Sequence, residues 1–121
     1  MGDVAGPAID RATFEGMLDA VGGDPEFLAE LVDAFVADIP AQLEAMRSGA
    51  AGGEAETVTR AAHTLKSSSA SLGALALAEA CRALEAQARG GDLVDADEHI
   101  ARVETLAQVA TAELQSLVAA A

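Results

Sequence analysis

Residues 24–47 read DPEFLAELVDAFVADIPAQLEAMR, and this stretch sets the fold class. Asp24 followed by Pro25 is a helix start, with aspartate as N-cap and proline at the first helical position, where its missing N–H is no loss. Phe27, Leu28, Leu31, Val32, Phe35, Val36, Ile39, Leu43 and Met46 then recur at helical spacing. Pro40 lies inside the run, where it removes a backbone donor and crowds the preceding turn, so a kink or a split is expected there.

Upstream, Phe14, Met17, Leu18 and Val21 mark a shorter amphipathic segment that ends at Gly22-Gly23. Downstream, Ser48 to Gly53 reads as a Gly/Ala loop, followed by a third helix over about 54–72 that Gly73 stops. A fourth helix spans about 75–89 before Gly90-Gly91-Asp92. A fifth runs from about residue 95 to the C-terminus with Ile100, Val103, Leu106, Val109, Leu114 and Leu117 inward. No strand pattern competes. The expected fold is all-α, an antiparallel up-and-down four-helix bundle with an additional short N-terminal helix packed across one end or side. The 121 residues support one modest core, so 1–121 is read as a single domain.

Composition agrees and narrows the function classes. Hydrophobic residues make up 51%, mostly Ala, Leu and Val, with three Phe and neither Tyr nor Trp, as in Ala/Leu-rich helical chains. Twenty acidic residues against seven basic ones give a formal charge of −13, which repels nucleic acid and anionic membrane surfaces. Met1 to Ala12 carries two Asp and one Arg with no long apolar run, resembling neither a signal peptide nor a membrane anchor. The single cysteine, Cys81, has no internal partner and sits at apolar helical spacing, so it reads as a buried hydrophobe in a reducing, cytoplasmic setting. One Cys and two His without close pairing do not give zinc-ligand spacing, and His99 reads as a solvated surface histidine. The Gly pairs at 22-23, 52-53 and 90-91 lack the lysine or strand context of a phosphate cradle, so no ATP site is expected.

The third helix carries the chemistry. At about 100° per residue, Val58, Ala61, Leu65 and Leu72 fall within one arc, the buried stripe. His63 lies nearly opposite, among Thr59, Arg60, Lys66, Ser67 and Ala70, and the chain's single lysine is one turn from it. An exposed imidazole is largely uncharged near neutral pH and keeps a nitrogen lone pair for attack on phosphorus. Periodicity alone equally fits a plain solvated histidine. Ser68 and Ser69 fall at the edges of the buried arc, where small side chains allow close helix approach and the preceding turn satisfies each hydroxyl.

The string His63-Thr64-Leu65-Lys66-Ser67-Ser68-Ser69-Ala70-Ser71-Leu72-Gly73-Ala74 resembles the H-x-L-K-G-S-S-x-x-L-G-A signature of histidine phosphotransfer (HPt) domains. The resemblance extends more weakly through Asp38-Ile39-Pro40, Cys81 to Glu85 and Arg89 to Asp92, covering about residues 10–115. It implies a helical bundle in which His63 is the phosphoacceptor, attacking through Nε2, with Lys66 as the neighbouring cation that neutralises phosphoryl charge. Ser67 departs from the family's usual glycine, whose role is to clear space around the imidazole, and serine is the next-smallest polar choice.

The fourth helix, returning antiparallel, brings Glu85 level with the imidazole. Leu77, Cys81, Leu84 and Ala88 form its buried stripe, and Arg82, Glu85 and Arg89 share an outer face. Two roles stand open for Glu85: an ordinary i,i+4 surface pair with Arg89, or a carboxylate that orients the His63 ring through Nδ1. The resemblance implies that the phosphoryl group comes from and goes to receiver domains of response regulators or hybrid kinases. Mg²⁺ would belong to the receiver and no cofactor to this chain. A receiver requires a flat, mildly apolar docking face, for which Arg60, Lys66, Ser67, Ala70, Arg82 and Arg89 are the expected contacts on a monomeric carrier. Two other readings stand beside this one: a pseudo-domain that docks receivers or kinases without taking phosphate, and a plain helical scaffold.

Overall fold

The computed structural model describes residues 8–121 and places five helices in them: α1 (Arg11–Ala20), α2 (Pro25–Ala51), α3 (Ala55–Ser71), α4 (Leu75–Arg89) and α5 (Ala96–Ala120). The expectation for Met1 to Ala12 falls mostly on residues outside the described ones. Each of α2 to α5 packs on its chain neighbours, and α5 returns to close against α2, giving the four-helix bundle, with α1 laid against α2 and α3. No helix among the described residues is long and apolar enough to cross a membrane.

The start of α2 follows from its first two residues. The Asp24 carboxylate accepts from the Glu26 and Phe27 N–H groups at 3.0 and 3.4 Å, and Pro25 occupies the first turn. Pro40 does not split the helix. Ile39 and Leu43 on either side of it are buried in the core, while Pro40 itself is exposed at a groove between α2 and α5. Tertiary packing of the flanking residues thus holds together a helix that sequence alone would break.

Four further expectations are corrected. Ser48 to Ala51 are helical, and the loop shrinks to Gly52-Gly53-Glu54. Gly49 reads as part of the Ser48 to Gly53 loop, yet a Cβ there would stand 3.0 Å from Val58 Cγ2 and 3.1 Å from Thr57, so it is a close-approach glycine between α2 and α3. In α5, Val109 is 50% exposed, and the interior is lined instead by Ile100, Val103, Ala107, Ala110 and Leu114. Small alanines let α5 approach its neighbours closely and rotate the valine, about 100° from Ala110, into solvent. Phe27 is likewise 47% exposed despite its helical spacing, and His99 is half-buried rather than fully solvated.

The turn between α3 and α4 is where the chain's first described residues are fastened. Gly73 adopts φ 88°, and its carbonyl accepts from the Asp10 N–H at 2.7 Å. The Ala8 and Ile9 N–H groups donate to the Glu113 carboxylate of α5 at 2.9 and 3.2 Å, and Ile9 is fully buried. Residues 8–10 therefore tie α5 to the end of α3. Cys81 is also fully buried, and burial pushes its thiol up to about 12, so it stays protonated and packs as a small hydrophobe.

Candidate functional site

Helix α3 turns Val58, Ala61, Ala62, Leu65 and Ser69 inward, and this fixes which side faces out. His63 emerges there with its side chain 58% exposed. The serines that follow consume their hydroxyls locally: Ser69 Oγ donates to the Leu65 carbonyl at 2.5 Å, Ser68 Oγ to Thr64 and Leu65, and Ser71 Oγ to Ser67. Ser67, one turn after His63, is exposed, and its carbonyl accepts from Ser71 Oγ.

Glu85 is the residue that the structure places differently. It does not lie on an outer face with Arg82: it is only 4% exposed, in the seam between α3 and α4. Helix periodicity put it 60° from Arg82 and left its depth to the packing of the neighbouring helix, which small residues on both sides bring close. The contacts to Arg89 and to His63 are both present, but from a buried carboxylate and not from a surface pair. Glu85 Oε2 accepts from Arg89 Nη2 at 2.5 Å and lies 2.9 Å from His63 Nδ1, while Oε1 takes Lys66 Nζ at 2.7 Å. One buried carboxylate thus gathers the imidazole and two cations from two helices.

The electrostatics follow from those contacts. Lys66 first, and then His63, hold the Glu85 carboxyl below the ordinary carboxylate range, against the opposing effect of burial. In the neutral ring, donation of the Nδ1 proton to an ionised Oε2 puts the lone pair on Nε2. Lys66, expected as a free cation beside the phosphoryl group, is already engaged by Glu85 and has its side chain only 30% exposed.

Because the folded carboxyl titrates below its unfolded counterpart, the unfolded chain binds a proton in that window that the folded chain does not. The Glu85 contribution is complete above the ordinary carboxylate range and is lost as pH falls through the lowered folded value. Urea midpoints compared at neutral and acid pH should therefore fall further in the wild type than in Glu85→Gln.

The other expected contact residues divide. Arg89 belongs to the cluster, and Ala70 is exposed on the same helix as His63. Arg60 and Arg82 lie on the surface of α3 and α4, but each is drawn to a glutamate of its own helix: Arg60 to Glu56 at 3.8 Å, Arg82 to Glu79 in an i,i+3 pair. The four cations therefore do not converge on one point.

Sequence reasoning also missed an open groove of about 540 Å³ between α1, α2 and α3, lined by Met17, Leu31, Phe35, Ser68, Ser71 and Leu72, with Asp38 on its rim. Phe35 and Leu72 had the spacing of core residues, which gives no sign that they also floor a groove. Ser71 stands eight residues from His63, about 12 Å along α3, and Ser68 and Leu72 lie round towards the opposite side of the helix, so the groove flanks the imidazole's face without sharing it.

A bundle with an exposed imidazole whose Nδ1 meets a buried carboxylate defines a protein able to offer a ring nitrogen to a partner. Residues 30–120 match the Hpt domain family, and the chain belongs to it. It is accordingly a histidine phosphotransfer carrier of the kind that works with receiver domains in phosphorelays. The fold is shared with the crystal structure of histidine-containing phosphotransfer protein B (HptB) from Pseudomonas aeruginosa PAO1, at a TM-score of 0.87 and 24% identity over 97% of this chain and 99% of that one. No curated protein sequence matches this chain.

Proposed function

We propose that the protein takes a phosphoryl group from a receiver-domain aspartate onto His63 Nε2 and passes it to the aspartate of another receiver, having no kinase or ATP site of its own. The observation that carries this reading is the 2.9 Å contact between His63 Nδ1 and the buried Glu85 carboxylate, which commits the ring to the tautomer with a free Nε2. In the forward step the Nε2 lone pair attacks phosphorus and the P–O bond to the receiver carboxylate breaks, with the electron pair leaving on that carboxylate. Lys66 and Arg89 offset the charge brought in, and Mg²⁺ is supplied by the receiver. Ser67 keeps the approach to Nε2 narrow but open. Arg60, Lys66, Ser67, Ala70, Arg82 and Arg89 form the docking face. The carrier acts as a monomer in the cytoplasm.

The pseudo-domain reading requires an imidazole that cannot receive phosphate, and the lone pair on Nε2 argues against it. The test is to mix the protein with a receiver domain charged from radiolabelled acetyl phosphate. Label that moves to this chain and is acid-labile and base-stable is the expected result. Binding of the receiver without transfer would instead identify a docking module.

A further inference from the structure

Glu85 makes more contacts than tautomer selection requires. A carboxylate placed only to select the tautomer needs one acceptor oxygen facing Nδ1. This one is buried, ionised, and simultaneously bonded by Lys66 and Arg89. The two cations keep it charged inside the seam, so it still faces Nδ1 as an anion after the ring has changed state.

The ring does change state on phosphorylation. When neutral imidazole attacks through Nε2, the product is a phosphoimidazolium with the proton still on Nδ1. If that proton escapes to water, the ring becomes a neutral phosphoimidazole, and the N–P bond can break only by expelling an imidazolate, a poor leaving group. If the proton stays, breaking the bond returns the electron pair to Nε2 and releases neutral imidazole. Whether the carrier discharges easily thus depends on what faces Nδ1.

We infer that Glu85 acts in the phosphorylated state by retaining the Nδ1 proton, which keeps the carrier ready to discharge at and above neutral pH. This rests on the carrier reading given above and concerns the return half of the same chemistry. Glu85 is a positioning residue in this role, since it touches the ring and not the phosphoryl group.

The surroundings of the ring are consistent with a single controlling charge. From α4 it is faced by Glu85 and Arg89, with Cys81 deeper and kept neutral by burial. From α3 it is faced by Lys66, and the Arg60–Glu56 pair lies one turn earlier in solvent. From α2, Asp38 is bonded to Gln42 beside the groove at Ser68 and Ser71, and the Arg11–Glu15 pair of α1 is exposed. Among these groups Glu85 is the anion in hydrogen-bond contact with Nδ1.

The experiment needs no cognate receiver. Phosphoramidate transfers its phosphoryl group to Nε2 with release of ammonia, and the ring protonation of the product is followed by nitrogen-edited NMR across pH. Hydrolysis of the same phosphoprotein is timed in parallel. Proton affinity at Nδ1 is expected to drop about tenfold in Glu85→Gln, moving the midpoint down by about one pH unit, because a charge-assisted hydrogen bond becomes a neutral one while both cations remain. Hydrolysis at mildly alkaline pH should slow by a similar factor and converge with the wild type in acid, where both rings are protonated.

Arg89→Gln supplies a second measurement if the first variant folds poorly. Removing the cation that shares Oε2 should move the midpoint upward. Coincident titration curves for wild type and variants, with His63 labelled in each, would overturn this inference and leave the carrier reading standing. Absence of label on the wild type would overturn both.

Discussion

His63→Gln is expected to abolish transfer of label from a phosphorylated receiver, leaving nothing above background. The reason is chemical and local. Glutamine offers an amide nitrogen whose lone pair is delocalised into the carbonyl, and no second imidazole or accessible thiol stands in for it. His99 belongs to α5, which packs on α2 and α4 and not on α3, and the Cys81 thiol is fully buried and held protonated. The fold should persist, because the side chain is 58% exposed and contributes no core packing. The melting temperature is therefore expected to move by only a few degrees, for a stability change within about 1 kcal/mol. Retention of acid-labile label in this variant would place the acceptor elsewhere. A loss of label accompanied by unfolding would show that the ring is structural.

Gly73→Ala should be among the most destabilising single substitutions at a position that forms no part of the hydrophobic core's side chains. Gly73 has φ 88°, and an added Cβ would stand 2.7 Å from the Asp10 carbonyl oxygen, with Thr13 Cβ at 3.3 Å and Ile9 Cγ2 at 3.4 Å. The obstructing atom is backbone and cannot swing aside. Its displacement would strain the 2.7 Å bond from the Asp10 N–H to the Gly73 carbonyl and disturb the burial of Ile9. Left-handed backbone costs alanine about 1 kcal/mol, and the clash should raise the total to about 3 kcal/mol, or about 10 °C in melting temperature. Gly91 provides the control. It has nearly the same conformation, φ 83°, but nothing within 4 Å of a Cβ, so Gly91→Ala should show only the backbone cost. Equal losses in the two variants would mean that the Asp10 contact contributes nothing.

These predictions separate what was legible in the chain from what was not. The boundaries of α4 at Leu75 and Arg89, the capping of α2 by Asp24 and the stop at Gly73 followed from local chemistry, since caps and glycine turns are decided within a few residues. His63 was likewise placed opposite the buried arc of α3 by periodicity alone, and its chemistry became readable through the string from His63 to Ala74. Pro40 and Gly49 misled because each is a breaker by intrinsic preference and each is overruled by a neighbouring helix, core packing around Ile39 and Leu43 in one case and the approach of Val58 in the other.

The sequence by itself determined an acidic, all-helical chain with an outward histidine, His63, beside its single lysine. Those properties depend on composition and on a period of about 3.6 residues, which a linear reading contains in full. Only the tertiary structure decided that Glu85 is buried, that it binds His63, Lys66 and Arg89 at once, and that Arg60 and Arg82 turn aside to Glu56 and Glu79. Depth and partner choice depend on how closely α3 and α4 approach and on which rotamers meet across the seam. Neither quantity is carried by the spacing of residues along one helix.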